Sequence, residues 1–240
     1  MATPAALPLR LYELAFANGR VASPFAWRIR YALAYKGLPF ESVPVGFTEI
    51  PALFAGRFKT VPILEQGPTA LNESWDIALY LDRTFPGTPL LFSNPKELAM
   101  VRLFDGWFSG DVLRRWFRLY VLDIYRAVRP EDRAYFRESR EARIKGRSLE
   151  DFTADREAQL PAVREALAPL RAQLSRYAFL GGDTPNYADF IALGGFHWVA
   201  SVSTLPPLEH GDSVLRGWLE RGFDLYQGIG RDERMRPLFA

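Results

Sequence analysis

The sequence predicts a small mixed α/β domain followed by an all-helical domain, on three observations. Residues 9–93 alternate strand-like and helical runs, a Pro/Gly-rich stretch follows Phe85, and helical periodicity dominates from Lys96 onward. The length of 240 residues allows one large domain or two compact ones, and 48% hydrophobic content supplies ample core.

Leu9–Phe16 is the first strand-like run. Ser23-Pro24 then opens a helix over Phe25–Lys36, with Phe25, Ile29, Ala32 and Leu33 at helical spacing and Lys36-Gly37 as its stop. Phe40–Val45, Val61–Leu64 and Thr69–Leu71 read as strands, the last two joined by the turn Gln66-Gly67-Pro68. Ser74–Thr84 is a second helix carrying Trp75, Ile77, Ala78 and Leu81. A β-α-β half followed by two adjacent strands and a helix implies a mixed sheet of about four strands. Prolines 86, 89 and 95 mark a linker over 87–95, which separates a domain of residues 1–86 from one of residues 96–240. In the second, Glu97–Val128 holds a long apolar and aromatic pattern and Leu160–Tyr177 is amphipathic. Tyr187–Ser203 is apolar on nearly all sides and belongs at the centre, with Asp212–Tyr226 closing the set. Arg129–Ala154 is charged and is expected at the periphery.

Thirty Lys+Arg against 28 Asp+Glu leave a net charge of +2, which gives no electrostatic footprint for nucleic acid. No apolar run approaches the roughly 20 residues of a membrane helix, and Met1–Pro8 has no basic start or long apolar stretch. The default expectation is a cytoplasmic protein. The chain has no cysteine, hence no disulfide, no thiolate metal site and no cysteine nucleophile; no metal is expected. Only His197 and His210 could serve a Ser/His/Asp triad, neither lies near a nucleophile elbow, and no Gly-rich phosphate loop is present. Any thiol chemistry must therefore use a bound thiol.

Three short pieces of the first domain can act together. Ser23-Pro24 is an ordinary N-cap with proline behind it; equally, its hydroxyl and the positive helix end can favour a thiolate. Val61-Pro62 is either an ordinary trans bond at an edge strand or a cis turn that leaves Val61 free to pair with a peptide backbone. Glu73-Ser74 starts a helix, and such a carboxylate and helix end can also hold the ammonium and carboxylate of a free amino-acid head group. In the helical half, Asn186 with Asp189 three residues on is a capping box and has a structural role.

These signals, in this order, resemble the glutathione S-transferase family over nearly the whole chain. The resemblance is closer to the glutathione-dependent bacterial β-aryl etherases and their fungal relatives. It is carried by Ser23-Pro24-Phe25-Ala26-Trp27-Arg28, Gly46-Phe47-Thr48, Trp116-Phe117-Arg118, Leu149-Glu150-Asp151, Trp198 to Pro207 and Leu219 to Leu225. Glu73 departs from the Asp frequent in the bacterial etherases. The resemblance implies an α/β thioredoxin-like N-terminal domain plus an all-α C-terminal domain, a homodimer, and glutathione as co-substrate.

The resemblance further implies that Ser23 stabilises the glutathione thiolate, Val61 ahead of a cis Pro62 pairs with the cysteinyl backbone, and Glu73 and Ser74 bind the γ-glutamyl end. Thr60 or Lys59 reaches the glycyl carboxylate. The implied reaction is attack of that thiolate on a small aromatic substrate, here cleavage of a β-aryl ether as in lignin-derived aromatics. The alternatives are another glutathione reaction, dehalogenation or isomerisation, or a non-catalytic aromatic-ligand binder. An isomerase of dienoic acids would call for cationic residues in the cleft. Trp107, Phe108, Trp116 and Tyr120 are candidates to line the substrate cleft, with ordinary core packing as the other reading. Arg114, Arg115 and Arg118 read as a solvated face, and His197 as a hydrogen-bonded core residue.

Overall fold

The computed structural model describes residues 7–240. Four strands, β1 (Leu9–Leu14), β2 (Phe40–Val45), β3 (Ile63–Gln66) and β4 (Thr69–Asn72), form one sheet in the order β2-β1-β3-β4. β2 runs parallel to β1, which requires a crossover, and α1 (Pro24–Tyr35) supplies it. β3 pairs antiparallel with β1 and with β4, and α2 (Ser74–Thr84) follows directly from β4. As an interior strand, β1 is buried at Leu9 and from Leu11 to Leu14, so its apolar run is nearly continuous. Glu13 in that strand is buried, and Arg30 of α1 grips it with two hydrogen bonds of 2.8 and 2.6 Å.

The long apolar pattern over Glu97–Val128 resolves into α3 (Pro95–Trp107), a five-residue π-helical stretch Phe108–Val112, and α4 (Leu113–Ala127). Asn94 caps α3 by accepting from the Lys96 and Glu97 amides at 3.0 Å. The π stretch matters because its wider turn rotates the face that α4 presents relative to α3. The expected helix over Leu160–Tyr177 is split into α7 (Leu160–Glu165) and α8 (Ala168–Leu174). Pro169 explains the split, since its missing N–H and its ring stop a continuous ladder at that point.

The segment Arg129–Ala154 is not peripheral. It contains α5 (Arg133–Arg143) and α6 (Leu149–Thr153), both packed against α4, with Phe136 and Leu149 buried. Its charges lie on one face of a strongly amphipathic helix, so average composition conceals the buried face.

The centre of the helical half is α9 (Tyr187–Val202), buried from Tyr187 to Ser201, as its sequence predicts. Its capping box forms: Asn186 Oδ1 accepts from the Ala188 amide at 2.9 Å, and Asp189 accepts from the Asn186 amide at 3.0 Å. Asp189 also accepts from the Leu180 and Gly181 amides and from Trp218 of α10 (Ser213–Gly228). α1 lies across α9. At the crossing a Cβ on Gly194 would collide with the Pro24 carbonyl oxygen, so the first turn of α1 sits directly on the α9 backbone. Among the described residues no helix is long and apolar enough to cross a membrane.

Candidate functional site

A cavity of about 1000 Å³ lies between the two halves. This is at the upper end of the roughly 300–1000 Å³ that single small-molecule sites occupy. One wall comes from element ends of the N-terminal half and includes Ser23, Lys59, Thr60, Val61, Pro62, Glu73 and Ser74. The seven positions that the sequence singles out for the thiol peptide are thus brought together, though they lie up to 51 residues apart (Ser23 to Ser74).

Ser23 follows the turn after β1 and caps α1. Its Oγ accepts from the Ala26 amide at 3.3 Å, and the side chain is nearly buried. Capping engages a lone pair of the oxygen, whereas stabilising an anion engages its proton, and no other described group takes that proton. The same hydroxyl can therefore perform both roles. The Val61-Pro62 bond is cis, and Val61 lies partly exposed on the cavity wall.

Glu73 stands at φ +68° ahead of α2, a left-handed conformation costly for a residue with a side chain. Its exposed carboxylate accepts from Thr60 Oγ1 at 3.3 Å, and Thr60 in turn accepts from Asn72 Nδ2 at 3.1 Å. Ser74 is buried in the first turn of α2, and its carbonyl accepts from the Tyr187 hydroxyl of α9 at 3.0 Å. The helical half thereby anchors the start of α2.

The opposite wall departs from expectation. Trp107, Phe108, Trp116 and Tyr120 do not line the cavity. Phe108, Trp116 and Tyr120 are fully buried, with Trp116 edge-on to Phe196 of α9 at 4.9 Å, and Tyr120 donates to the Leu205 carbonyl at 3.1 Å. Trp107 packs edge-on to Phe104 at 5.5 Å. Helical register is the reason. After the π stretch, Trp116 and Tyr120 share the face of α4 turned to α9, and Leu113, Phe117 and Ile124 share the face turned to the cavity.

Phe47, Phe136, Phe152 and Trp198 add to the aromatic lining, together with Phe25 and Tyr135, and Arg140, Arg143, Lys145 and Arg147 stand beside them. The sequence reading gave none of them a place in the cleft, although Phe25, Phe47 and Trp198 stand in stretches that carry the family resemblance. The available signal was the mixing of aromatic and basic residues in Tyr135–Phe152, submerged in a segment that looked merely charged. Of the three arginines read as a solvated face, Arg115 pairs with Asp111 at 2.9 Å and Arg118 with Asp155 at 2.8 Å, while Arg114 lines the cavity.

Charged and polar side chains behind the cavity are held by partners within the fold. Arg28 of α1 is buried and bonds Asp105 of α3 and Ser109, each at 2.8 Å. His197 stacks on Trp27 with ring centres 3.8 Å apart and shares a 2.9 Å hydrogen bond with the Tyr31 hydroxyl. Burial, reinforced by Arg20 and Arg30, pushes its pKa down to about 3, so it is a neutral core histidine.

Comparison with known proteins accords with this arrangement. The profile described as "Glutathione S-transferase, N-terminal domain" matches residues 19–89, and "Glutathione S-transferase, C-terminal domain" matches residues 99–212. Glutathione S-transferase U1 of Arabidopsis thaliana is 28% identical over 174 residues, covering 71% of this chain and 65% of that protein. The chain thus spans slightly less than two thirds of that relative. Maleylacetoacetate isomerase of Rattus norvegicus is 33% identical over 97 residues, 38% of this chain and 45% of its own length. The crystal structure of a glutathione S-transferase of Ceriporiopsis subvermispora in complex with glutathione superposes with a TM-score of 0.79 at 22% identity, covering 94% of this chain and 98% of that one. Glutathione transferase GSTFuA3 from Phanerochaete chrysosporium gives 0.72 at 24% identity, covering 93% of each chain. The structural likeness concerns the fold, and the two profiles cover both halves of the molecule. The chain belongs to the glutathione S-transferase family.

Proposed function

We propose that this protein is a glutathione transferase that directs a Ser23-stabilised glutathione thiolate onto an aromatic electrophile, cleaving a β-aryl ether. The observation that carries the reading is the Ser23 hydroxyl: capped onto α1, its proton uncommitted, in one cavity with Val61, Glu73 and Ser74 and opposite an aromatic wall.

Glutathione is the co-substrate of this family. The Glu73 carboxylate takes its α-ammonium, and Ser74 with the first amides of α2 takes the neighbouring carboxylate. Val61 pairs with the cysteinyl backbone, and Lys59 or Thr60 meets the glycyl carboxylate. A free thiol with a pKa of about 8.5 is mostly protonated at neutral pH, and a hydrogen bond from Ser23 to the thiolate favours the ionised form. Such a bond to a charged acceptor is worth about 1.5–3 kcal/mol, or roughly one to two pKa units. The thiolate attacks the β carbon, a C–S bond forms, and the C–O bond breaks. Its electron pair leaves with the phenolate, which takes a proton from water. Ser23 acts electrostatically, with no covalent enzyme intermediate. The same reading carries a cytoplasmic homodimer, and sedimentation reads its assembly.

The test is phenol release from a β-aryl ether ketone, each enantiomer offered with and without glutathione. Release that requires glutathione, with kcat/KM lowered at least about tenfold in Ser23→Ala, is the expected result. No release from either enantiomer by the folded protein overturns ether cleavage, and an unchanged Ser23→Ala overturns the thiolate role.

A further inference from the structure

The charge of the cavity wall exceeds what glutathione needs. Among the lining residues Glu73 is the one carboxylate, whereas Lys59, Arg114, Arg140, Arg143, Lys145 and Arg147 are cations. Glutathione offers two carboxylates and one ammonium, and the N-terminal wall already meets them with Lys59, Glu73 and the start of α2. The other five cations belong to the helical wall, beyond that set. Elsewhere some arginines are paired, Arg137 with Glu150, Arg129 with Glu49 and Arg171 with Asp212, each at 2.8 Å. Unpaired ones such as Arg83 and Arg176 stand exposed to water, whereas the helical wall gathers its unpaired cations around one cavity. Among the described residues, none of the five on the helical wall forms an ion pair.

Arg140 is the most confined of them. It is partly buried, its guanidinium lies over the Phe47 ring at 5.0 Å and the Phe136 ring at 4.6 Å, and its one polar partner among the described residues is the neutral Ser139 hydroxyl at 2.9 Å. Burial, then repulsion from Arg143, pushes its pKa down to about 10, and it remains a cation at neutral pH. A desolvated cation without a counter-ion is unfavourable, and an arriving anion removes that cost. The planar fork of a guanidinium matches a carboxylate, and the flanking rings of Phe47 and Phe136, with Phe117, Phe152 and Trp198, suit a flat aromatic body.

We infer that the electrophile is an aromatic acid, whose ring-borne carboxylate is held by the guanidinium of Arg140 between Phe47 and Phe136. The inference rests on the reading that this cavity takes the electrophile beside glutathione. It deepens that reading without depending on which bond is cleaved.

Equilibrium binding separates the two. The probes are biphenyl-4-carboxylate and its uncharged carboxamide, titrated by calorimetry into the full chain, the Arg140→Met and Arg140→Lys variants, and Arg143→Met as a neighbouring control. Variants are first compared with the parent by thermal melting. The carboxylate should bind at least about tenfold more tightly than the amide. Arg140→Met should abolish that preference, Arg140→Lys should keep part of it, and Arg143→Met should keep most of it. Equal affinity for the two probes overturns the inference. A preference that survives Arg140→Met, or disappears equally in Arg143→Met, overturns the role of Arg140. Glutathione is titrated separately. If it fails to bind while the acid preference holds, the transferase reading falls and the acid site stands; if it binds while the preference is absent, the reverse holds.

Discussion

Arg28, at the joint between the two halves, and Arg140, on the helical wall of the cleft, both press a guanidinium against aromatic rings. Arg28 lies 4.5 Å over Phe25 and is answered by Asp105 and Ser109, so burial lowers its pKa while Asp105 holds it up. Arg140 has its rings and a neutral hydroxyl. The difference separates two uses of a buried charge. One is balanced inside the fold and fixes α1 to α3; the other is left for a visiting molecule to balance.

Breaking the balanced member should have the largest effect. Asp105→Ala leaves Arg28 buried beside a single hydroxyl and is expected to cost about 3–5 kcal/mol in urea unfolding. The neutral core behind the cleft should respond to pH. Burial holds the His197 pKa down to about 3 in the fold, against about 6.5 for an imidazole in water. The unfolded chain therefore takes up a proton as pH falls through 6.5, whereas the folded chain does not until far lower. Its stabilising share is complete above pH 6.5 and declines toward pH 3, with a slope reaching about 1.4 kcal/mol per pH unit. Unfolding curves between pH 7.5 and 5 read that slope, and His197→Gln should flatten it. At the start of α9, Asn186→Ala removes a cap, with an expected loss of about 1 kcal/mol by the same assay. The smallest effect belongs to the unbalanced member: Arg140→Met exchanges two cation–ring contacts for relief of desolvation, so stability should stay within about 1 kcal/mol of the parent. A loss as large as that of Asp105→Ala would erase the distinction.

The same contrast explains what the sequence can disclose. Ser23, Val61 and Glu73-Ser74 are readable because each is a local event of the backbone: a helix start, an X-Pro bond, another helix start. The four-strand sheet and the buried α9 are readable because periodicity and capping are likewise local. The helical wall depends on which face of α4 turns inward, and the π stretch Phe108–Val112 resets that face with no residue type that announces it. Hence Trp116 and Tyr120, conspicuous in sequence, go to the core, while Phe117 reaches the cleft. Arg140 is hidden for a further reason. Among the many arginines of residues 126–147, it is set apart by lying unpaired over the Phe47 and Phe136 rings, and that is a property of space.

The crossing at Gly194 bears on how such a chain can be inherited. The first turn of α1, which carries Ser23 at its head, takes its seat from a glycine 171 positions downstream. The support of Ser23 is therefore encoded in the half of the gene that also encodes the helical wall of the cleft. Recombination at the Pro-rich junction would join intact domains and still misplace Ser23 unless the new partner kept a bare backbone at that crossing. Exchange of whole halves among relatives is constrained by one missing methyl group, and drift around Ser23 is coupled to drift in a helix of the other half.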